Sequence, residues 1–300
     1  MDNITHSLVG ALLGQAGLKK KTGLAMPALI IGANLPDVDA ACFFWLEGQE
    51  HLGFRRGITH GPPAMVLLPL ILAGLLWGYD RWQAKRGERP EDRLPVNFKW
   101  LYALAFIGCL THPALDWLNV YGVRLLEPFS SQWFYGDTLF IIDVWLWALM
   151  GFATWFSLRR ESKGGDWIKP ARIALAVSMF YIAGNWVATT HKEMTSSLQP
   201  SIASPLPLVS WQREVIEPLA PGQWLIDGQQ VGQCDLTGVA EAAAGNSEAE
   251  AFLFWTRTPF GERAEDGSVL LRDARFYDPR ARDRFTVALA DVKCEELPAQ

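Results

Sequence analysis

Six histidine and aspartate side chains in the first 120 residues have the types and spacing of a metal site. They are His6, Asp37, Asp39, His60, His112 and Asp116. Imidazole nitrogens and carboxylate oxygens bind divalent cations when several converge from different elements. His112 and Asp116 are four residues apart, so a helix would place both on one face. Asp37 and Asp39 follow Pro36, which should end the preceding helix, so we expect two carboxylates close together in an irregular turn.

The composition divides the chain into two unlike parts. Residues 1–190 carry 17 Lys and Arg against 15 Asp and Glu, a net charge of +2, and nearly all the long apolar runs. Residues 191–300 carry 10 against 17, a net charge of −7. A chain that is half apolar and acidic overall is neither disordered nor typical of a nucleic-acid binder. We therefore predict a helical transmembrane domain over 1–192 and a soluble, acidic, β-rich domain over 193–300.

Six apolar stretches predict the helices of the membrane domain. A span needs roughly 20 apolar residues, and four stretches approach that length: Ala64–Trp82, Leu101–Leu118, Leu139–Leu158 and Ile173–Thr190. Ile4–Leu18 and Leu24–Leu35 are shorter, about 20 Å each at 1.5 Å per residue. The predicted fold class is an α-helical membrane domain of about five to six passes, the first two short, followed by a small, mostly antiparallel β domain.

The basic residues predict the orientation. The segment 81–99 holds six Lys and Arg and 159–172 holds five, whereas 119–138 holds only Arg124. Basic loops face the cytoplasm of a bacterial inner membrane. A six-pass arrangement then puts both termini, the loops near 36–62 and 119–138, and the C-terminal domain on the outer side. All six candidate ligands fall at that outer face together with Asp143, which favours one shared metal site over separate helix caps or solvated polar groups.

The motifs around these residues resemble the YdjM/YbcI-type family of bacterial inner-membrane proteins. They are Thr5-His6, Leu35-Pro36-Asp37-Val38-Asp39, Arg56-Gly57-Ile58-Thr59-His60 and His112-x-x-x-Asp116-x-x-Asn119. Farther on, Phe254-x-x-Arg257-x-Pro259-Phe260 looks like the C-terminal domain found in part of that family. The resemblance implies a membrane-bound metal-dependent hydrolase.

One position departs from the family pattern. Many members have histidine where this chain has Arg55, and serine where it has Gly61. Either an imidazole is missing from the site, or His51 replaces it from nearby in the sequence. The number of ligands therefore stays open at this point.

We hypothesise that the six residues hold one or two divalent ions, which activate a water to attack an ester. A set of histidines and aspartates suits Zn²⁺ or Mn²⁺ better than Ca²⁺. Arg55 or Arg56 would pair with a substrate phosphate. Asp143 would orient a ligand histidine or act as a base. Contact of the two arginines with membrane lipid phosphate is an equally good interpretation. The position at the membrane suggests membrane lipid as a partner and a small-molecule or lipid-linked substrate, and the protein partner is unknown at this point.

Two other functional classes stay open. A transporter would use the histidines and aspartates as an ion path, although a path would place them at several depths rather than at one face. A structural or partner-binding membrane protein could keep the site without turnover.

The C-terminal segment has the signals of a β domain. Proline and glycine punctuate short β-prone runs, and a helix is predicted over Ala240–Glu250. The predicted strands are Arg213–Ile216, Gln223–Ile226, Gln229–Gln233, Phe252–Thr256, Val269–Leu271 and Phe285–Ala290. Cys234 and Cys294 could form a disulfide if this domain is extracytoplasmic, although two cysteines do not require one.

Overall fold

The computed structural model describes residues 1–278 and 282–297, and the chain divides into two compact units. A helical unit comprises Met1–Val38, Arg56–Trp186 and Pro207–Ser210. A β-rich unit comprises Asp39–Arg55, Val187–Leu206 and Trp211–Gln300. The segment 39–55 thus groups with the C-terminal residues, and the predicted boundary at residue 192 falls inside the last long helix.

Each of the six predicted apolar stretches contains a helix. The helices are α1 (Asn3–Gln15), α2 (Ala25–Asn34), the four-residue α3 (His51–Phe54), α4 (Pro62–Arg86), α5 (Phe98–Trp117), α6 (Val144–Ser162) and α7 (Ile168–Thr195). The 3₁₀ segment Leu35–Phe44 follows α2, and the 3₁₀ segment Ile58–His60 precedes α4.

Three helical segments among the described residues are long and apolar enough to cross a membrane. They are Ala25–Phe44, Pro62–Arg86 and Ile168–Thr195. Large apolar side chains on the outside of α4 and α7, such as Leu75, Ile71 and Phe180, are exposed in the chain alone. Exposed apolar surface of this kind suits contact with lipid. The helical membrane region followed by β structure is therefore confirmed, whereas the count of five to six passes is not.

The start of α6 differs from its prediction. The apolar run from Leu139 suggested a helix, but residues 139–143 are not helical and α6 begins at Val144. The Asp143 carboxylate accepts hydrogen bonds from the backbone N–H groups of Trp145, at 3.0 Å, and Leu146, at 2.9 Å. A side-chain cap of this kind fixes a helix start. The capping carboxylate of Asp143, rather than the apolar run that begins at Leu139, therefore decides where α6 begins.

Small residues bring α1, α2 and α5 into close contact. A Cβ atom on Gly108 of α5 would lie 2.5 Å from the Leu29 carbonyl oxygen of α2, and one on Gly32 would lie 2.6 Å from the Ala105 oxygen. A Cβ atom on Gly10 of α1 would lie 2.8 Å from the same Leu29 oxygen. Glycine at helix contacts allows the backbones to approach this closely. The two helices that carry candidate ligands, α1 and α5, are therefore each packed backbone to backbone against α2.

The β-rich unit holds two antiparallel sheets. The first has the order β1 (Ile202–Pro205), β2 (Arg213–Ala220), β3 (Gln223–Ile226), β4 (Gln229–Val231). The second has the order β5 (Pro259–Arg263), β6 (Ser268–Asp273), β7 (Thr286–Lys293). Two helices, α8 (Val239–Ala242) and α9 (Ser247–Trp255), lie between β4 and β5 in the chain. The predicted antiparallel β character is confirmed, with β1 and β5 not foreseen.

The prediction of a strand over Phe252–Thr256 is wrong, because that run belongs to α9. The Asn246 side chain caps the helix by accepting from the Ala249 N–H at 3.1 Å. Phe252 and Trp255 are three residues apart and both fully buried, so they share the inner face of the helix. The same cap separates α9 from α8, so the single helix predicted over Ala240–Glu250 is two helices.

Cys234 and Cys294 are joined by a disulfide across 60 residues of sequence. Cys42 and Cys109 are buried and free. The pairing left open by the sequence is therefore made in the structure.

The close approach of α2 and α5 gives a direct test of the packing. Gly108→Ala should lower the stability of the purified protein by roughly 1–3 kcal/mol, because the added methyl group meets backbone that cannot move aside. Gly74→Ala in α4 is the matched control, since a Cβ atom there meets nothing within 4 Å and alanine favours a helix. Thermal unfolding in detergent measures both. Equal melting temperatures for the two variants would contradict the packing described here.

Candidate metal centre

His6 is positioned by the capped start of α1. The Asp2 carboxylate accepts from the N–H groups of Ile4, at 2.9 Å, and Thr5, at 3.1 Å. Trp147 of α6 donates its indole N–H to the Thr5 hydroxyl oxygen at 2.9 Å. These bonds fix the first turn of α1 against α6, and they place His6 fully inside the helical unit, with no exposed surface.

His112 and Asp116 lie one turn apart on α5, as predicted, and both are fully buried. His112 Nδ1 lies 2.7 Å from the Ala33 carbonyl oxygen at the end of α2. A carbonyl oxygen only accepts, so Nδ1 is the donor in this contact, and Nε2 is the nitrogen that faces the carboxylates. That Nε2 lies 3.6 Å from Asp116 Oδ2 and 3.7 Å from Asp37 Oδ1. A histidine held through its other nitrogen by a backbone carbonyl is the usual arrangement of a metal ligand.

His60 reaches the same carboxylate from the loop before α4. Its Nδ1 lies 3.0 Å from the Thr59 hydroxyl oxygen, and its Nε2 lies 3.5 Å from Asp116 Oδ2. The next residue must be small, because a Cβ atom on Gly61 would lie 1.8 Å from the Glu127 carbonyl oxygen. This close approach holds the loop and its histidine in place.

Two sets of three side chains could each hold an ion. One set is His6, His112 and Asp116, and the other is Asp37, His60 and His112. Within each set the ligand atoms all lie within 4.8 Å of one another. The imidazole rings of His6 and His112 stack, with centroids 3.7 Å apart. Because His112 is common to both sets, the five residues form a single cluster, which we call the His/Asp cluster.

The chemistry of the cluster fits a divalent cation. Within the part of the chain that the structure describes, neither ring nitrogen of His6 nor Nε2 of His112 makes a hydrogen bond of good geometry, although all three are buried and His6 Nε2 lies 3.4 Å from Asp116 Oδ1. Buried polar atoms in native structures nearly always have a partner, and a bound ion is such a partner for imidazole nitrogens. Three imidazoles with two carboxylates suit Zn²⁺ or Mn²⁺ better than Ca²⁺.

Arg56 compensates the buried charge of Asp116. Its Nε lies 3.1 Å from Asp116 Oδ2, and its NH1 donates to Asn119 Oδ1 at 3.0 Å and to the Gly122 carbonyl oxygen at 3.2 Å. The guanidinium also lies 4.4 Å from the ring centre of Tyr121. Arg56 adopts a left-handed φ of +56°, which is costly for a residue with a Cβ atom. These contacts direct Arg56 to Asp116, and its pairing with a substrate phosphate stays a prediction.

Asp39 does not belong to either set of ligands. Residues 35–44 form a 3₁₀ segment rather than an irregular turn, and with three residues per turn two side chains two positions apart point in different directions. Asp37 therefore joins the cluster, whereas Asp39, in the β-rich unit, pairs with Arg55 at 3.4 Å. The role of Asp39 as a metal ligand beside Asp37 therefore stays a prediction.

Two further predicted residues have other partners in the structure. Asp143 caps α6 and accepts from the Tyr181 hydroxyl at 2.8 Å. His51, in the β-rich unit, lies 2.9 Å through Nδ1 from the Gly48 carbonyl oxygen. The catalytic roles suggested for Asp143 and Arg55, and the replacement role of His51, stay predictions.

Three groups of the site were not identified from the sequence. The Ala33 carbonyl is backbone and gives no sequence signal. Asn119 orients Arg56 and accepts from the Tyr121 N–H at 2.9 Å. Its position three residues after Asp116 in the family motif was the feature of the sequence that could have indicated this role. The amino group of Met1 lies against Asp116 Oδ1.

The family model described as YdjM inner membrane protein matches residues 1–192. The chain belongs to the YdjM inner membrane protein family. Every residue of the His/Asp cluster lies inside the matched region, and the family together with the apolar helices indicates the bacterial inner membrane. No curated protein and no solved structure matches the chain significantly.

The cluster predicts bound metal that depends on its histidines. Protein purified without chelator should contain Zn or Mn by elemental analysis, and His112→Ala should lower the content at least about tenfold, because it removes a ligand common to both sets. His191→Ala is the matched control, since His191 lies exposed near the end of α7.

Equal metal content in wild type and His112→Ala, with both folded by melting temperature, would contradict the site. Loss of metal in His191→Ala would show instead that the ion is bound elsewhere on the chain.

Proposed function

We propose that this protein is a membrane-bound metal-dependent hydrolase that acts on a lipid or lipid-linked phosphoester. One observation carries the proposal: three buried imidazoles and two carboxylates from four separate segments converge within the helical unit. A purely structural polar cluster would be expected to satisfy its own hydrogen bonds. The open nitrogens of His6 and His112 favour a bound ion instead.

The residues that would hold one or two ions are His6, Asp37, His60, His112 and Asp116. A divalent cation in such a site supplies an acidified water at neutral pH and polarises a phosphoryl oxygen. The His112 ring is held at Nδ1 by the Ala33 carbonyl, so its Nε2 stays directed toward the two carboxylates. His6, His60, His112 and Asp116 are buried and Asp37 is partly buried, so the site is largely shielded from bulk water, which strengthens the electrostatic interactions inside it.

Arg56 acts in this proposal as a positioning residue for Asp116. Its guanidinium is itself fixed by Asn119 and the Gly122 carbonyl, so the carboxylate has one preferred orientation. A buried carboxylate without such a partner would be protonated or would turn away from the site.

A phosphoester at the membrane surface is the substrate class that the location supports. The chain belongs to an inner-membrane family, and Asp116 lies near the end of α5, which is about 30 Å long at 1.5 Å per residue. A cluster near one end of a bilayer-length helix lies close to lipid headgroups, where phosphoesters are concentrated.

We also propose the six-pass arrangement, with both termini and the C-terminal domain extracytoplasmic. Its support is the contrast between the basic segments 81–99 and 159–172 and the single arginine of 119–138. The Cys234–Cys294 disulfide adds to it, because disulfides persist in the periplasm and not in the cytosol. In this arrangement α1, α5 and α6 are passes in addition to the three candidate spans.

Reporter fusions test this topology. Alkaline phosphatase fused after Gln300 should be active, because it folds only outside the cytoplasm, and the same reporter inserted after Gly87 should be inactive. Gly87 ends α4 within the basic segment and provides the matched cytoplasmic position. An inactive reporter after Gln300 would reverse the proposed side of the C-terminal domain.

The hydrolase proposal is tested by a substrate screen. Phosphate monoesters, phosphodiesters and lipid-linked phosphoesters are incubated with purified protein, with and without chelator. Turnover should require the metal, and Asp116→Asn should lower it at least about a hundredfold. The matched control is Asp80→Asn, because Asp80 is another buried helical carboxylate that pairs with arginines, at 3.0 Å from Arg89 and 3.1 Å from Arg93.

Turnover that survives chelator, or is equal in Asp116→Asn and wild type, would overturn the proposal. Bound metal without turnover on any phosphoester would favour the non-enzymatic alternative.

A further inference from the structure

A groove lies between α6 and α7 of the helical unit, at the end of α6 away from Asp143. Its volume is about 550 Å³. It is lined by Leu149, Phe152, Ala153, Phe156 and Arg160 of α6, by Asp166, and by Lys169, Pro170, Ile173, Ala174 and Val177 of α7. On both helices the lining positions repeat every three or four residues, so each helix contributes one continuous face.

The groove is apolar along its length and charged at one end. Between Leu149 and Val177 the walls are aliphatic and aromatic, and they are open: Phe152 is 64% exposed and Ile173 is 53% exposed in the chain alone. Leu149 and Arg160 are 11 residues apart, which gives a length of about 16 Å at 1.5 Å per residue. That is about half of the ~30 Å hydrocarbon core of a bilayer, the depth of one leaflet.

The charged end of the groove carries two cationic side chains whose terminal N–H groups, in the described part of the chain, are not paired with an acceptor or an acidic group. Arg160 donates through Nε to the Asp166 carbonyl oxygen at 2.8 Å. Across residues 1–278 and 282–297, NH1 and NH2 of Arg160 have no acceptor and Lys169 Nζ is in no ion pair. The Asp166 carboxylate is engaged by the N–H groups of Ile168, at 3.1 Å, and Lys169, at 3.2 Å. The groove end therefore has a net charge of +1.

We propose that this groove binds an anionic phospholipid, with one acyl chain between α6 and α7 and the phosphate between Arg160 and Lys169. The length of the apolar walls matches one leaflet, and the cations lie where a headgroup phosphate would be. A soluble anion would make no contact with the apolar walls. A zwitterionic lipid would be attracted less strongly by the net positive charge. The proposal does not rest on the hydrolase function, because none of the groove residues belongs to the His/Asp cluster.

Native mass spectrometry of the full-length protein in detergent tests the proposal. Dioleoylphosphatidylglycerol and dioleoylphosphatidylcholine are titrated separately. Wild type should bind the phosphatidylglycerol more tightly than the phosphatidylcholine. The double variant Arg160→Gln/Lys169→Gln should weaken phosphatidylglycerol binding roughly 30-fold, since each basic residue near a headgroup contributes a factor of about five. Binding of the choline lipid should change little.

Two variants separate the groove from general surface charge. Val177→Trp keeps both cations and fills the apolar wall, so it should weaken both lipids if the acyl chain lies there. Arg159→Gln is the matched charge control, because Arg159 is adjacent in sequence and lies against the Trp155 ring, 5.5 Å from its centre, rather than in the groove. It should bind both lipids as wild type does.

Equal binding of the two lipids by wild type, or no change in Arg160→Gln/Lys169→Gln, would overturn the proposal. No change in Val177→Trp would show that the lipid is held by charge alone, which also overturns it. Competition by glycerol phosphate as strong as by the intact lipid would assign the site to a free phosphate and overturn it. Melting temperature and metal content of each variant, both expected at the wild-type level, show that the fold and the His/Asp cluster are intact.

Discussion

The buried carboxylate of Asp116 is the constraint on which the rest of the site depends. A charge placed where it has no exposure to water is costly unless other groups compensate it. Arg56 supplies the compensating charge at 3.1 Å, and the imidazoles of His6, His60 and His112 lie 3.4 to 3.6 Å from the carboxylate oxygens. The segments that carry these groups, α1, the loop before α4 and α5, must therefore meet at one point. The electrostatic requirement of one side chain organises three parts of the fold.

The glycine contacts make that convergence possible. Gly108 lies one turn before His112, and Gly32 is the residue before Ala33. A Cβ atom at either glycine would meet the backbone of the facing helix, so α2 and α5 could not approach as they do. The 2.7 Å contact from His112 Nδ1 to the Ala33 oxygen depends on this approach. The orientation of the His112 ring, and the direction of its Nε2, thus follow from residues that have no side chain at all.

What the sequence predicted depended on how local the signal was. The pairing of His112 with Asp116 follows from helical spacing alone, and the structure confirms it. The separation of Asp37 from Asp39 could not be foreseen, because both a turn and a 3₁₀ segment can follow Pro36, and they direct the second carboxylate differently. Arg56 was expected at a substrate phosphate, but its contacts to Asn119 and Asp116 join residues about 60 apart in the chain, and no local pattern reports such contacts. The prediction of a strand over Phe252–Thr256 is wrong because of a local interaction: the cap at Asn246 starts a helix in a run with high β propensity.

The two ends of α5 accommodate their charges in different ways. At the Asp116 end the charges are buried and compensated inside the protein. At the other end cations lie over tryptophan rings: Lys19 is 4.2 Å from the Trp167 ring centre, Lys21 is 5.1 Å from Trp100, and Arg86 is 4.5 Å from Trp82. Tryptophan and basic residues are enriched together at the headgroup level of a membrane. If α5 is a membrane pass, as in the six-pass arrangement proposed above, anchoring of the basic end would also set the depth of the His/Asp cluster. The two ends are about 30 Å apart along that helix.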